Sequence, residues 1–257
     1  MSINIILQAR MSSTRLPGKV LKPILGVPML AHQLARLKQL KTINDIIVAT
    51  SIEPDDDAIE QLCLDLKINC FRGSLSNVLE RYYQAHLQFP SEHVIRITGD
   101  CPVIDVNIIN KVINLHMSTH ADYTSNCIPA TLPDGLDVEI FTAKALKVAR
   151  NNAISPIEFE HVTTYFRNHA EQFNYQNYTH PTDYSHLRWT VDEPEDFELI
   201  QQFFQYLSPK KPYFDLNDIL ALLTEHPELN QINSKFKRNE GLKKSQLADN
   251  LISKQQK

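Results

Sequence analysis

The sequence predicts an α/β fold, a largely parallel sheet covered by helices on both faces and continued by a mixed-sheet extension. Two observations support this. Over the first 120 residues, apolar runs of strand length alternate with amphipathic runs of helix length, which implies βαβ units around a buried sheet. Beyond residue 120 the strand candidates become short and are separated by loops, as expected for strands added to the same sheet rather than for an independent domain.

Ile3-Asn4-Ile5-Ile6-Leu7 opens the chain as a buried strand. It ends in a polar loop in which Arg10, Arg15 and Lys19 fall within ten residues, interleaved with Ser12, Ser13 and Thr14. Cations, hydroxyls and backbone N–H groups converging at the carboxyl end of a strand suit phosphate oxygens. A solvated basic turn has the same composition. Pro17-Gly18 sets a turn just before Lys19. A Walker A loop would need glycine at position 13 and Ser or Thr at position 20, where Ser13 and Val20 stand. Residues 29–40 read as an amphipathic helix with Leu30, Leu34, Leu37 and Leu40 on one face. A second strand over 45–50 leads through an acidic, proline-containing turn at 51–57 to a helix over 58–66. A short strand at 69–73 precedes a helix over 76–87. The strand at 94–98 ends in Gly99-Asp100-Cys101-Pro102 and leads to a helix over 105–116. In the second half, strands are expected at 121–126, 136–141, 173–178 and 187–191, and helices at 143–151 and 156–169. Pro194 enters a helix over 195–207. A short helix near 216–223 precedes a polar tail, whose last dozen residues are expected to fray.

With 257 residues, 42% of them hydrophobic and 22% charged, the chain has the composition of an ordinary globular protein with a large core. Its net charge of −4 argues against nonspecific nucleic-acid binding, so the basic loop suits a small anionic ligand better than a polyanion. No apolar run approaches the roughly 20 residues that span a bilayer, and no membrane association is expected. Cys63, Cys70, Cys101 and Cys127 lack C-x-x-C spacing and fit a reducing cytoplasm, the expected location.

Four features fall at the carboxyl ends of expected strands: the basic loop, Arg72-Gly73-Ser74, Thr98-Gly99-Asp100 and Thr190-Val191-Asp192. Two isolated carboxylates, Asp100 and Asp192, facing a cationic loop are what Mg²⁺-dependent phosphoryl or nucleotidyl transfer requires. Each also has a plain structural use, Asp100 as a turn or capping residue and Asp192 as an N-cap before Glu193-Pro194.

The run Gln8-Ala9-Arg10-Met11-Ser12-Ser13-Thr14-Arg15-Leu16-Pro17-Gly18-Lys19 resembles the N-terminal signature of the cytidylyltransferases that make CMP-activated acidic sugars. The branch it is most similar to is that of spore coat polysaccharide biosynthesis protein F. Further stretches match that branch in order: Phe71-Arg72-Gly73-Ser74, Val78-Leu79-Glu80-Arg81-Tyr82-Tyr83, Ile97-Thr98-Gly99-Asp100-Cys101-Pro102 and Gly135-Leu136-Asp137-Val138-Glu139. After these come Glu160-His161-Val162-Thr163, Leu187-Arg188-Trp189-Thr190-Val191-Asp192-Glu193-Pro194 and Arg238-Asn239-Glu240-Gly241.

The resemblance implies a nucleotide-diphosphosugar transferase-like fold, a Rossmann-like three-layer sandwich with a mixed sheet. Residues 1–208 would form the nucleotidyltransferase domain, with a nucleotide-binding half (1–120) and an acceptor-binding half (121–208). Residues 209–257 would be a helical extension. It also implies CTP as donor, Mg²⁺ as cofactor, a small acidic acceptor, pyrophosphate as product, a role in cell-surface polysaccharide synthesis, and a homodimer. By position, Arg10, Arg15 and Lys19 would bind the triphosphate, joined by Ala9 and Ser12. Arg72, Ser74 and Arg81 would surround cytosine and ribose, and Asp100 and Asp192 would hold the metal. The acceptor would meet Asp137, Glu139, His161 and Arg188, although His161 equally suits a structural bond on its helix. No general base stands out. Two other classes are open on the residues alone, a nucleotide-sugar glycosyltransferase and a noncatalytic nucleotide-binding protein. The Asp-x-Asp motif usual in the former is missing at the Gly99-Asp100-Cys101-Pro102 strand end.

Overall fold

The computed structural model describes residues 2–238. Its strands are β1 (Ile3–Gln8), β2 (Pro23–Ile24), β3 (Val27–Pro28), β4 (Asp45–Ser51), β5 (Asn69–Gly73), β6 (His93–Thr98), β7 (Tyr123–Ser125), β8 (Glu139–Thr142) and β9 (Tyr175–Asn177). Its α-helices are α1 (Met29–Leu37), α2 (Asp57–Leu66), α3 (Val78–Gln88), α4 (Val106–Ser118), α5 (Ala143–Asn152), α6 (Pro156–Glu160), α7 (Thr164–Asn168), α8 (Pro194–Leu207) and α9 (Leu216–Glu225). β2 and β3 pair as a small ribbon. The other seven strands make one sheet in the order β5-β4-β1-β6-β8-β7-β9.

β1 lies between β4 and β6 and is parallel to both, with Ile5 opposite Ile46 on one side and Ile95 on the other. The chain lays down β4 and β5 on one side of β1, then crosses back to add β6 on the other. Strand order therefore reverses at β1, and the crevice outside the carboxyl ends of β1 and β6 is a topological switch point, the usual ligand site of an open α/β sheet. β8 runs antiparallel to β6, β7 antiparallel to β8, and β9 parallel to β7, so the second half continues the same sheet.

Side chains of β1 alternate between two cores, as the two-residue period of a strand requires. Ile5 and Leu7 join Val48, Ile95 and Ile97 against α1, α2, α4, α8 and α9. Ile6 joins Ala49, Val94 and Phe141 against α3, α5 and α7. The result is a three-layer α/β/α sandwich. Burying each such Ile, Val or Leu contributes about 1.5–3 kcal/mol relative to exposure. α9, in the C-terminal region, packs into the first of these cores through Leu216, Ile219, Leu222 and Leu223.

Two elements differ from expectation. Residues 187–191 are extended but are not a sheet strand. Their backbone bonds to loops instead, through Asp134 N to Leu187 O (3.0 Å), Trp189 N to Asp134 O (2.6 Å) and Val191 N to Asp100 O (2.8 Å). Gly135 makes this possible: a Cβ there would stand 2.5 Å from Thr190 N, and its φ of +107° is open to glycine. The helix expected over 156–169 is broken into α6 and α7 at His161, whose φ of −107° and ψ of 59° leave the helical region. The run Val162-Thr163-Thr164 is β-branched and a weak helix former. Turning there buries Val162 completely and brings His161 and Thr163 to the wall of the central cavity. Asn239-Glu240-Gly241 and the tail expected to fray lie outside the described residues.

Candidate active site

A cavity of about 340 Å³ opens at the switch point, between the loop after β1, the loop after β6, and the second half of the chain. The first loop is pinned at both polar atoms of Met11. Its carbonyl accepts from Ser13 N and Gly18 N (both 2.9 Å), and its N–H donates to Asp56 Oδ1 at 2.7 Å. Asp56, only 1% exposed, is itself anchored by Ser51 N on its other oxygen (3.0 Å). Gly99 lets the second loop lie directly on the first: its N–H donates to Gln8 O at 2.8 Å, and a Cβ there would come within 3.0 Å of both Gln8 O and Ala9 Cβ.

This packing places Lys19 against both strand-end aspartates. Its ammonium donates to Val191 O (2.6 Å), Asp192 Oδ1 (2.8 Å) and Asp100 Oδ2 (3.3 Å). Burial alone would lower the Lys19 pKa, but Asp100 and Asp192 outweigh it and hold the ammonium above its usual value. Conversely, burial would raise Asp100, but Lys19 and a bond from Thr98 bring it down to about 2. Arg15 closes the same carboxylate from the loop side, at 2.9 Å from Asp192 Oδ1 and 3.2 Å from Glu193 Oε1. Behind Asp192, Arg188 grips the fully buried Asp196 with two bonds (2.9 and 2.8 Å) and reaches Asp134 (3.1 Å) and Asp192 (3.3 Å). Asp196 also accepts from the backbone N–H groups of Asp192 and Glu193, both at 3.0 Å.

The opposite wall is cationic. Glu139, at the start of β8, receives Arg96 of β6, the Tyr123 hydroxyl of β7, and Arg167 of α7 at 2.6 Å. Burial would raise Glu139, yet Arg167 and Arg96 push it down to about 2, so one anion stands between two cations. Arg167 Nε is buried without a hydrogen-bond partner. His161 stands on the same wall with Nε2 3.7 Å from Glu160 and likewise without a hydrogen bond. Burial lowers its pKa and favours the neutral ring. On the floor, Asp137 is bonded by Arg238, while burial and nearby Asp137 push Asp134 up to about 7. Among the described residues no group of three or more His, Cys, Asp or Glu side chains is placed to hold a metal ion. The carboxylate pair of Asp100 and Asp192 is the candidate.

Comparison with known proteins decides the family. Residues 4–235 match the family model described as cytidylyltransferase. The chain belongs to the cytidylyltransferase family. The chain is similar to spore coat polysaccharide biosynthesis protein SpsF of Bacillus subtilis, at 32% identity over 87% of this chain and 94% of that protein. It is 27% identical to an 8-amino-3,8-dideoxy-manno-octulosonate cytidylyltransferase of Shewanella amazonensis, over 73% of this chain and 76% of the relative. The solved structure of a cytidylyltransferase from Leptospira borgpetersenii superposes with a TM-score of 0.86 at 32% identity, covering 90% of this chain and 97% of that one. The mixed seven-stranded sandwich is thus the nucleotide-diphosphosugar transferase-like fold, and this cytidylyltransferase is a nucleotidyltransferase that uses CTP.

Of the residues singled out in the sequence of this cytidylyltransferase, Ala9, Arg10, Arg15, Lys19, Arg81, Asp100, Asp137, Glu139, His161 and Asp192 line the one cavity. Four do not. Ser12 is exposed outside it. Arg72 turns away to Asp57 (2.6 Å), Glu60 (2.9 Å) and the carbonyls of Ser51 and Glu53 (both 3.0 Å), tying β5 to the start of α2. The Ser74 hydroxyl accepts from Asn77 N (3.0 Å), and its carbonyl holds Arg81 (2.6 Å). Arg188 is not among the lining residues: it stands behind Asp134 and Asp192, which are, and bonds the buried Asp196, unlike the acceptor contact expected of it. Sequence reasoning missed Asp56, Arg96, Asp134, Arg167 and Asp196. Only Arg96 carried a local signal, a cation inside the apolar run Val94-Ile95-Arg96-Ile97.

Proposed function

We propose that the protein transfers CMP from CTP to a small acidic sugar, releasing pyrophosphate, with Mg²⁺ held by Asp100 and Asp192, for assembly of a surface polysaccharide. The single observation that carries this reading is the two-ended cavity. One end has a cationic loop facing two carboxylates, and the other has two arginines sharing one glutamate. Magnesium needs only one or two protein carboxylates, the remainder coming from phosphates and water. Asp100 and Asp192 fit that requirement, because both bond the same ammonium and so lie within reach of one small cation. When bound, the ion neutralises charge on the phosphates and the departing pyrophosphate.

The chain's own residues do the rest. Arg10, Arg15 and Lys19 bind and orient the triphosphate so that the acceptor oxygen lies in line with the α-phosphorus. Lys19 and Arg15 stabilise the charge that develops as pyrophosphate leaves. Arg81, with its guanidinium fixed by Ser74 O, borders the nucleoside side. Across the cavity, Arg96 and Arg167 carry one more positive charge than Glu139 cancels, which suits an acceptor carboxylate. Names of relatives support the acidic-sugar class, since one acts on an octulosonate and another serves spore coat polysaccharide. We also propose a homodimer formed through the 136–170 region.

The test is pyrophosphate release with Mg²⁺, each of the four nucleoside triphosphates and a panel of sugar acids. CTP is expected to support turnover with an acidic sugar. Arg167→Met is expected to lower kcat/KM for that acceptor by on the order of a hundredfold, about 3 kcal/mol, with the KM for CTP little changed. Equal activity on the acid and on the matching neutral sugar would remove the acidic acceptor from the reading.

A further inference from the structure

We propose that Lys19, assisted by Arg15, is an ion-paired latch on Asp100 and Asp192 that admits a divalent cation only together with a triphosphate. The inference rests on the assignment of those two carboxylates to the metal.

The donors of the ammonium are saturated. Lys19 has three N–H donors, and Val191 O, Asp192 and Asp100 take all three, with the residue only 8% exposed. Asp192 is engaged on both oxygens, Oδ1 by Lys19 and Arg15 (2.9 Å) and Oδ2 by Arg188 (3.3 Å). A free divalent ion held by both carboxylates would therefore displace the ammonium from its two bonded anions. That would leave a buried ammonium unpaired beside a second cation, which is strongly unfavourable. A triphosphate changes the balance. Its oxygens offer Lys19 and Arg15 new partners at the mouth of the same loop, and they supply the additional ligands a small hard cation demands. The phosphates take the protein's cations as the carboxylates take the metal. Arg188 stays in place because Asp196 holds it from behind, so the carboxylate of Asp192 keeps its aim through the exchange. Metal and nucleotide binding are then coupled, each raising the affinity of the other by the same factor.

Manganese binding is the test, read by water proton relaxation, which separates protein-bound Mn²⁺ from Mn²⁺ held by nucleotide in solution. The full-length protein with Mn²⁺ alone is expected to bind weakly. Lys19→Met is expected to bind free Mn²⁺ at least about tenfold more tightly, within the usual span of coupling between sites. Adding Asp192→Asn to Lys19→Met is expected to abolish that gain. Arg15→Met, at a more exposed position, is expected to give a smaller gain and keeps the test open if Lys19→Met fails to fold. Binding of free Mn²⁺ by the unaltered protein as tight as by both variants would overturn the latch. The underlying reading has its own control: with CTP and Mn²⁺ present, Asp100→Asn and Asp192→Asn must each lose the protein-bound signal. If they keep it, the metal assignment fails and the latch with it. If they lose it while the Lys19 and Arg15 variants gain nothing, the latch alone fails.

Discussion

At the scale of the residue, Arg188 sits 7% exposed among Asp134, Asp192 and Asp196, behind the cavity lining rather than in it. Burial would lower its pKa, but Asp196, Asp134 and Asp192 outweigh that and hold the guanidinium above its usual range, so it stays charged at every working pH. Its removal leaves Asp196, with no exposed surface, as a buried charge without its cation. Arg188→Met is therefore expected to destabilise the protein by about 3–5 kcal/mol, read as a fall in the denaturant midpoint. A midpoint within experimental error of the parent would show that Asn233 and the Asp192 and Glu193 amides suffice to hold Asp196. The lesson at this scale is that an arginine in a motif reads as a ligand contact, whereas its role depends on what lies behind it. Asp56 makes the same point in reverse. In the sequence it is one of three consecutive acidic residues in a turn, and in the fold it alone is buried against the Met11 N–H.

At the scale of the element, α4 docks on the sheet through an imidazole chain. His116 Nε2 meets His93 Nδ1 of β6 at 3.0 Å, and its Nδ1 meets Thr124 Oγ1 of β7 at 2.9 Å. Burial, with His93 adjacent, lowers His116 to about 4 from an ordinary 6.5. A histidine kept neutral in the fold binds a proton more readily when unfolded. Its contribution to stability is complete above pH 6.5 and declines as pH falls toward about 4, where it levels off. Glu139, depressed to about 2 from 4.5, acts in the same direction over a lower window. Unfolding free energy is thus expected to drop by on the order of 2 kcal/mol between pH 6.5 and 4 through His116. His116→Gln, which cannot take up a proton there, is expected to flatten that slope. An unchanged slope would assign the acid sensitivity to other groups. Elements were legible in the sequence where packing was local. The alternation in β1, β4 and β6 and the apolar face of α1 follow from periodicity. The break between α6 and α7, and the pairing of 187–191 with loops instead of a sheet strand, did not, because the first accompanies the burial of Val162 and the second is set by hydrogen bonds to distant loops.

At the scale of the whole molecule, the second half extends the first sheet, and the cavity lies where the two meet. The homodimer proposed above places the 136–170 region at the interface, where Ile154 stands 87% exposed between α5 and α6. Sedimentation velocity at micromolar concentration is expected to show a dimer, and a monomer there would remove the proposal. Among the described residues no helix is long and apolar enough to cross a membrane.

The sequence by itself determined the α/β class, the strand-end location of the site and the residues of the basic loop, because these depend on periodicity and on short-range spacing. The ordered motifs also pointed to the cytidylyltransferase family. Only the tertiary structure decided which charged side chains face the cavity and which are spent elsewhere. Arg72 turns to carboxylates outside it and Arg188 stands behind the lining on the buried Asp196, while Arg96 and Arg167 are brought in from a strand and a short helix. The physical reason is that a charge's role is set by the partners around it in space, and strands distant in sequence supply those partners.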